Sequence, residues 1–116
     1  MMNFENLDVW KRSTRLSADI YKNPTLKKDF GFRDQLTRSG LSVPSNIAEG
    51  MTRDSDKEKV RFLDIARSSL AEARTQIYIA IDINYIESDV GRAWLNETFE
   101  LSKMLTSLIS KIKTRI

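Results

Sequence analysis

The sequence predicts an all-α protein, an antiparallel up-down-up-down four-helix bundle whose second helix is kinked at Pro44. Four segments place apolar residues at the three- and four-residue steps of a helix surface, and no segment alternates with period two for long enough to form a strand. Short turn signals separate the segments, so helices that follow one another should pack antiparallel. The chain has 116 residues, the usual size of one domain, and residues 1–116 are assigned to a single bundle.

The first helix is expected from about Asn6 to Lys22. Asn23-Pro24 should end it, because the residue before a proline is displaced from the α-helical region of backbone conformation. Its apolar stripe contains Val9, Trp10, Leu16, Ile20 and Tyr21.

The second helix is expected to begin near Phe30 or Phe32 and to end near Gly50. A proline inside a helix removes one backbone donor and crowds the carbonyl four residues earlier. The apolar spacing nevertheless continues across Pro44 in phase, so the segment predicts one bent helix rather than two separate helices. The residues of this seam are Phe32, Leu36, Gly40, Val43, Ile47 and Met51.

The third and fourth helices have start signals of their own. Ser55 and Glu58 have the spacing of a capping box, and Ser88 is expected to cap the fourth helix. The apolar arc of the third helix is broad, with Leu63, Ile65, Ile79 and Ile83 beside its main stripe, which predicts packing on two sides. The fourth helix has a seam of Val90, Trp94, Thr98, Leu101, Leu105, Leu108 and Ile112.

The composition excludes several kinds of chemistry. The chain has no cysteine and no histidine, so disulfides, thiolate metal sites and nucleophilic triads that use histidine cannot form. Its four glycines are isolated, so no glycine-rich phosphate loop is present. We therefore expect a protein that is not an enzyme and that holds no cofactor or metal. No signal peptide, membrane association or extracellular location is expected either, which favours the cytoplasm.

The charge is unevenly distributed along the chain. The net charge is +3, and residues 103–116 contain four basic side chains and no acidic one. These cations have two interpretations: they complement the dipole of the last helix, or they contact the phosphates of a nucleic acid. The candidate nucleic-acid-binding residues are Lys11, Arg12, Arg15, Lys103, Lys111, Lys113 and Arg115.

A polar stripe runs beside the apolar seam of the second helix, and polar residues of the third helix could face it. One interpretation is a solvated face with local ion pairs such as Asp34 with Arg38. The other is a polar network at a helix–helix or subunit interface, where small side chains let backbones approach closely. The candidate interface residues are Arg38, Ser42, Pro44, Ser45, Asn46, Glu49, Glu72 and Gln76.

Several of these segments together resemble a known family of small bacterial helical bundles, the 23S rRNA intervening sequence proteins, also called the S23 ribosomal protein family. The most specific part is Ser42-Val43-Pro44-Ser45-Asn46-Ile47-Ala48-Glu49-Gly50. The remaining matches are Leu7-Asp8-Val9-Trp10-Lys11, Ile20-Tyr21-Lys22, Phe30-Gly31-Phe32, Gln35, Arg53, Phe62-Leu63, Ile65-Ala66, Ser69-Leu70, Glu72, Thr75-Gln76 and Tyr85-Ile86.

The resemblance implies a four-helix bundle that forms a ring-like homopentamer without an established catalytic activity. The family is similar in shape to the accessory variability proteins of diversity-generating retroelements, which bind nucleic acid and a reverse transcriptase. Two hypotheses follow: an oligomer that binds RNA through clustered lysines and arginines, or a protein-interaction scaffold with no nucleic-acid partner. This chain departs from the family at Thr37-Arg38-Ser39-Gly40, where the family usually has two basic residues and two alanines.

Overall fold

The computed structural model describes residues 3–116, apart from the side chain of Lys27, and within them it contains four long helices and no strand. The all-α prediction is confirmed; residues 1 and 2 of the predicted domain lie outside the described residues. Short 3-10 helices at Phe4–Asn6 and Pro24–Lys28 precede the first two long helices. The long helices are α1 (Asp8–Lys22), α2 (Phe30–Met51), α3 (Asp56–Asp82) and α4 (Ser88–Lys113).

The four helices form a closed circuit in which each one packs against two others. At the α2–α3 and α3–α4 contacts, residues later in one helix contact residues earlier in its neighbour, which shows that these helices pack antiparallel. Examples are Ser39 with Gln76 and then Ser42 with Ser69, and Arg67 with Thr106 and then Arg74 with Thr98. The molecule measures 45 × 20 × 20 Å, which fits helices of about 20 to 40 Å in length around a single core.

The core lies along the centre of the bundle, where the predicted seams meet. On α2, Leu36, Val43 and Ile47 are at most 2% exposed, and Phe32 and Met51 pack against them. Pro44 lies inside α2 and is buried, and the helix continues on both sides of it. The prediction of one helix through Pro44 is therefore confirmed, while the bend stays a prediction.

The helix ends confirm one predicted cap and contradict another. Ser55 Oγ accepts a hydrogen bond from the backbone N–H of Glu58 at 3.3 Å, as the capping box predicts. Ser88 is the first residue of α4 rather than its cap, because Glu87 is the residue with extended backbone before the helix. The turn between α3 and α4 contains Asn84, whose φ of 61° lies in the left-handed region that asparagine tolerates.

One prediction about burial was wrong, whereas the predicted packing of α3 on two sides is confirmed. Tyr21 is 61% exposed, because the last turn of α1 directs it beyond the core, where the Arg33 guanidinium lies 4.7 Å from its ring centroid. On α3, which does pack against both α2 and α4, only Leu63 of the four additional apolar residues is buried. Ile65, Ile79 and Ile83 are 38–46% exposed; we call these three residues the α3 outer stripe.

Candidate functional site

The structure brings the start of α1 next to the C-terminal half of α4. Lys103 and Lys111 line an open groove of about 400 Å³ together with Leu7, Asp8 and Val9. Antiparallel packing explains this arrangement, because the first and last helices of the circuit run side by side in opposite directions. Lys103 and Lys111 therefore lie beside the start of α1, although they are far from it in the sequence.

Three of the seven candidate cations are held in ion pairs. Arg12 contacts Glu97 with both arms of its guanidinium, Nε to Oε2 at 2.9 Å and Nη2 to Oε1 at 2.6 Å. This hydrogen bonding is the main reason that the pKa of Arg12 is raised above its ordinary value. The other two pairs are Lys103 with Glu100 at 3.4 Å and Arg115 with Asp56 at 3.3 Å. The carboxylates reduce the positive potential that these three cations can present to phosphates.

The other four candidates are exposed cations on α1 and in the last turn of α4, and Lys111 is the one of them that lines the groove. We call this set of residues the basic patch: Lys11, Arg15, Lys111 and Lys113. Among the described residues, none of the four has a carboxylate within 4.0 Å. Two of them lie in the last turn of α4, where they also complement the helix dipole. Both interpretations of the C-terminal charge are thus compatible with the same residues.

Part of the predicted polar stripe forms hydrogen bonds between α2 and α3 within one chain. The hydroxyls of Ser42 and Ser69 are 2.8 Å apart, and Ser39 Oγ donates to Gln76 Oε1 at 2.5 Å. Asn46 Nδ2 donates to both the carbonyl and the hydroxyl oxygen of Ser42, at 2.8 and 2.9 Å. We call this network the α2–α3 polar seam.

The rest of the stripe faces away from this seam. Arg38 Nε is 3.1 Å from Asp34, the local pair considered as an alternative, and the Arg38 side chain is 79% exposed. Glu49 accepts from Arg53 Nη2 at 2.9 Å. Ser45 and Glu72 are exposed. The candidate stripe therefore divides into a half-buried, hydrogen-bonded seam and a solvated face. Pro44 belongs to neither because it lies in the core.

One surface was missed by the sequence analysis. Leu41 is 59% exposed and lines a mostly apolar groove of about 550 Å³ between α1 and α2. Thr14, Ala18, Tyr21 and Thr37 also line this surface, which we call the α1–α2 groove. Leu41 lies off the α2 seam, next to Gly40, and an apolar residue outside the core phase is the signal that could have identified it.

Within residues 3–116, no group of three or more His, Cys, Asp or Glu side chains could hold a metal ion. None of the helices described there is both long enough and apolar enough to cross a membrane.

The fold and these surfaces define a compact helical bundle with two uncovered apolar surfaces and a small basic patch. The chain belongs to the 23S rRNA-intervening sequence protein family, whose family model matches residues 5–107. It is similar to a crystal structure, at 1.70 Å resolution, of a protein of unknown function from the S23 ribosomal protein family of Bacteroides thetaiotaomicron VPI-5482. That likeness has 28% sequence identity and a TM-score of 0.81, and covers 87% of this chain and 97% of the other. A search of curated proteins found no match.

Proposed function

We propose that this protein is a non-catalytic bundle that assembles into a ring-like homo-oligomer and binds RNA with the basic patches repeated around the ring. The observation that carries the assembly is a pair of unlike apolar surfaces, the α1–α2 groove and the α3 outer stripe. The groove exposes Tyr21 and Leu41 to water in a single chain. The stripe exposes Ile79 and Ile83, which are about one helical turn apart, while Ile65 lies about 20 Å away along α3. Exposed apolar side chains that cluster mark an interaction surface.

The placement of these surfaces supports a ring. One surface lies between α1 and α2, and the other lies on α3 near its seam with α2, on the stripe that includes Gln76. A contact between two unlike surfaces is head-to-tail, so each copy leaves one surface for the next copy. Because the surfaces lie on adjacent rather than opposite sides of the bundle, successive copies would turn relative to one another, which a closed ring requires and a straight filament does not. Five copies is the number that the family resemblance implies.

The assembly is tested with one charge placed in each surface. Leu41→Glu and Ile79→Glu should each reduce the mass measured by light scattering, because a buried unpaired carboxylate opposes association. Ile116→Glu is the matched control, since Ile116 is 60% exposed and lies outside both surfaces. A wild-type chain that stays at its monomer mass of 13.4 kDa would refute the assembly.

Mixing the two variants tests the head-to-tail geometry directly. The Leu41→Glu chain keeps an intact α3 outer stripe, and the Ile79→Glu chain keeps an intact groove. The mixture should therefore form a dimer that cannot grow further, while each variant alone remains a monomer. A mixture that stays monomeric would contradict pairing of these two surfaces.

RNA binding is supported by the four exposed cations of the basic patch, which a ring would repeat and combine through avidity. Binding of a fluorescent RNA, followed by anisotropy, should weaken steeply between 50 mM and 200 mM salt because phosphate contacts release counterions. Lys111→Gln should lower both the affinity and the salt slope, whereas Lys28→Gln, an exposed cation outside the patch, should change them less. A ring that leaves RNA unbound at 50 mM salt would support the protein-interaction scaffold instead.

A further inference from the structure

Another pocket lies between α3 and α4, close to the turn that joins them. It has a volume of about 450 Å³, and Ile81 and Leu95 supply apolar lining. Tyr78 and Phe99 also line it and are 49% and 43% exposed, so both rings are available to a ligand. We call it the aromatic pocket; its remaining lining residues are Arg92 and Asn96.

The Phe99 ring is supported by charged and polar neighbours. The Arg74 guanidinium lies 4.4 Å from the ring centroid, within the range of a cation–π contact. Arg74 is itself held by Thr98, with Nε donating to Oγ1 at 3.1 Å and Nη2 donating to the carbonyl oxygen at 3.2 Å. The ring is therefore positioned before any ligand arrives.

The polar lining is suited to an anionic ligand that also has a hydrogen-bonding edge. Arg92 Nε donates to Ser88 Oγ at 3.3 Å, and no carboxylate lines the pocket. The exposed amide of Asn96 offers two donors and one acceptor. Such an amide can pair with the N6 and N7 positions of adenine, and aromatic rings can stack on the faces of an unpaired base.

We propose that the aromatic pocket binds an unstacked base of single-stranded RNA, with a preference for adenine. The base stacks on Tyr78 or Phe99, Asn96 contacts its edge, and Arg92 contacts the adjoining phosphate. This assignment deepens the proposed RNA binding and rests on it for its biological context.

The size of the pocket distinguishes this ligand from other occupants. A volume of about 450 Å³ falls in the range of small-ligand sites, about 300–1,000 Å³. Duplex RNA is a poor fit, because its bases are stacked and paired and cannot enter between the side chains. A flipped or single-stranded base is the nucleic-acid element that matches the pocket in both size and chemistry.

The experiment compares three probes on the full chain: AMP, a ten-nucleotide oligoadenylate and an RNA duplex of equal length. Anisotropy should show tighter binding of the oligoadenylate than of the duplex. Phe99→Ala and Tyr78→Ala should each weaken oligoadenylate binding by roughly 5- to 10-fold, since stacking on aromatic side chains contributes on this scale. Phe30→Ala is the matched aromatic control, because Phe30 is 79% exposed and lies outside the pocket. Thermal unfolding of each variant verifies that the fold is retained.

The base preference is tested separately with Asn96→Asp, which replaces the donor of the amide with an acceptor and should reduce the preference for oligoadenylate over oligouridylate. AMP titrated into labelled protein should shift the NMR signals of Tyr78 and Phe99.

Oligoadenylate binding that is salt-dependent but unchanged in the Tyr78, Phe99 and Asn96 variants would overturn the proposed base site and leave RNA binding by the basic patch intact. The proposed base site would also be overturned if Lys111→Gln abolished all oligoadenylate binding and AMP caused no NMR shifts at the aromatic pocket. The absence of any RNA binding by the wild type would refute the proposed function, while AMP shifts at the pocket would still establish a nucleotide site.

Discussion

The seam between α2 and α3 and the seam between α1 and α4 join helices in different ways. On the first, small side chains let the helices come close: Gly50 lies against the side chain of Phe62 and the carbonyl of Lys59. On the second, the long side chains of Arg12 and Glu97 bridge the helices, and a groove of about 400 Å³ remains open between them.

This difference shows how one chain can combine closely packed helices with helices that are bridged by long side chains. Helices α2 and α3 follow each other through a short turn, and small residues on both sides allow direct hydrogen bonds between their side chains. Helices α1 and α4 are the two ends of the chain and have no turn between them, so their spacing depends on the side chains that meet there. Changes in the first seam should therefore affect stability more than changes in the second.

The largest effect is expected for Gly50→Ala. A Cβ atom there would lie 2.8 Å from Phe62 Cβ and 3.2 Å from the Lys59 carbonyl, and neither atom can move without shifting α3. We expect a loss of about 1–3 kcal/mol in unfolding free energy, the range for overpacked positions. Urea unfolding monitored by circular dichroism measures it.

Gly40→Ala is the matched control, because its Cβ would lie 3.5 Å from Ile20 Cδ1, an ordinary contact. That change should stabilise the helix by about 0.5–1 kcal/mol, since glycine is less favourable than alanine inside a helix. Equal losses at Gly40 and Gly50 would show that close approach is not special to the α2–α3 seam.

A smaller loss is expected for Ser42→Ala in the α2–α3 polar seam. The change removes hydrogen bonds to Ser69 and Asn46 and leaves these half-buried groups with fewer partners. The cost should be about 1 kcal/mol, and the double variant Ser42→Ala with Ser69→Ala should cost less than the sum of the two single changes. Strict additivity in urea unfolding would mean that the two hydroxyls do not interact.

On the α1–α4 seam, Arg12→Ala should cost about 0.5–1 kcal/mol. The two side chains are 40% and 27% exposed, so solvent weakens the pair despite its two-point geometry. The loss should shrink when urea unfolding is repeated at 500 mM salt, because salt screens the attraction. A cost that is larger than that of Gly50→Ala would reverse the comparison of the two seams.

The smallest effect is a pH dependence at the far end of the α2–α3 side. Asp29 accepts hydrogen bonds from the backbone N–H of Phe32 at 3.1 Å and from the Tyr85 hydroxyl at 2.9 Å, which lower the pKa of Asp29 below its ordinary value of 3.8. A lowered pKa in the folded state adds stability above the unfolded pKa, and that stability is lost as the pH falls through the folded pKa.

The difference in melting temperature between wild type and Asp29→Asn should therefore be present at pH 6 and should diminish below about pH 4. Asp82→Asn, which removes an exposed carboxylate from the end of α3, serves as the comparison variant. A difference that stays constant from pH 6 to pH 3 would exclude ionisation of Asp29 as its source.

Much of the fold was predictable because it depends on local periodicity. The α2 seam from Phe32 to Met51, the Ser55 cap and the helix end at Asn23 all depend on residues within a few positions of one another. The predicted burial of Tyr21 was wrong because helical phase does not show where a neighbouring helix ends. Likewise, Ser88 has the chemistry of a cap, but the start of α4 depends on the turn that packs before it.

The candidate sites were less predictable, because they depend on which side chains meet across helices. The cluster of cations at the C-terminal end is visible in the sequence, but the pairing of Arg12 with Glu97 joins residues 85 positions apart. Residues of the aromatic pocket follow three- and four-residue steps on each of two helices, but the sequence does not show that these two faces meet. Helical periodicity was sufficient to predict four helices and their buried stripes, since both arise from backbone geometry that repeats along the chain. Three-dimensional packing decided which polar residues joined the α2–α3 polar seam and which faced solvent. It also decided which apolar surfaces stayed uncovered, because both outcomes depend on the distances between helices.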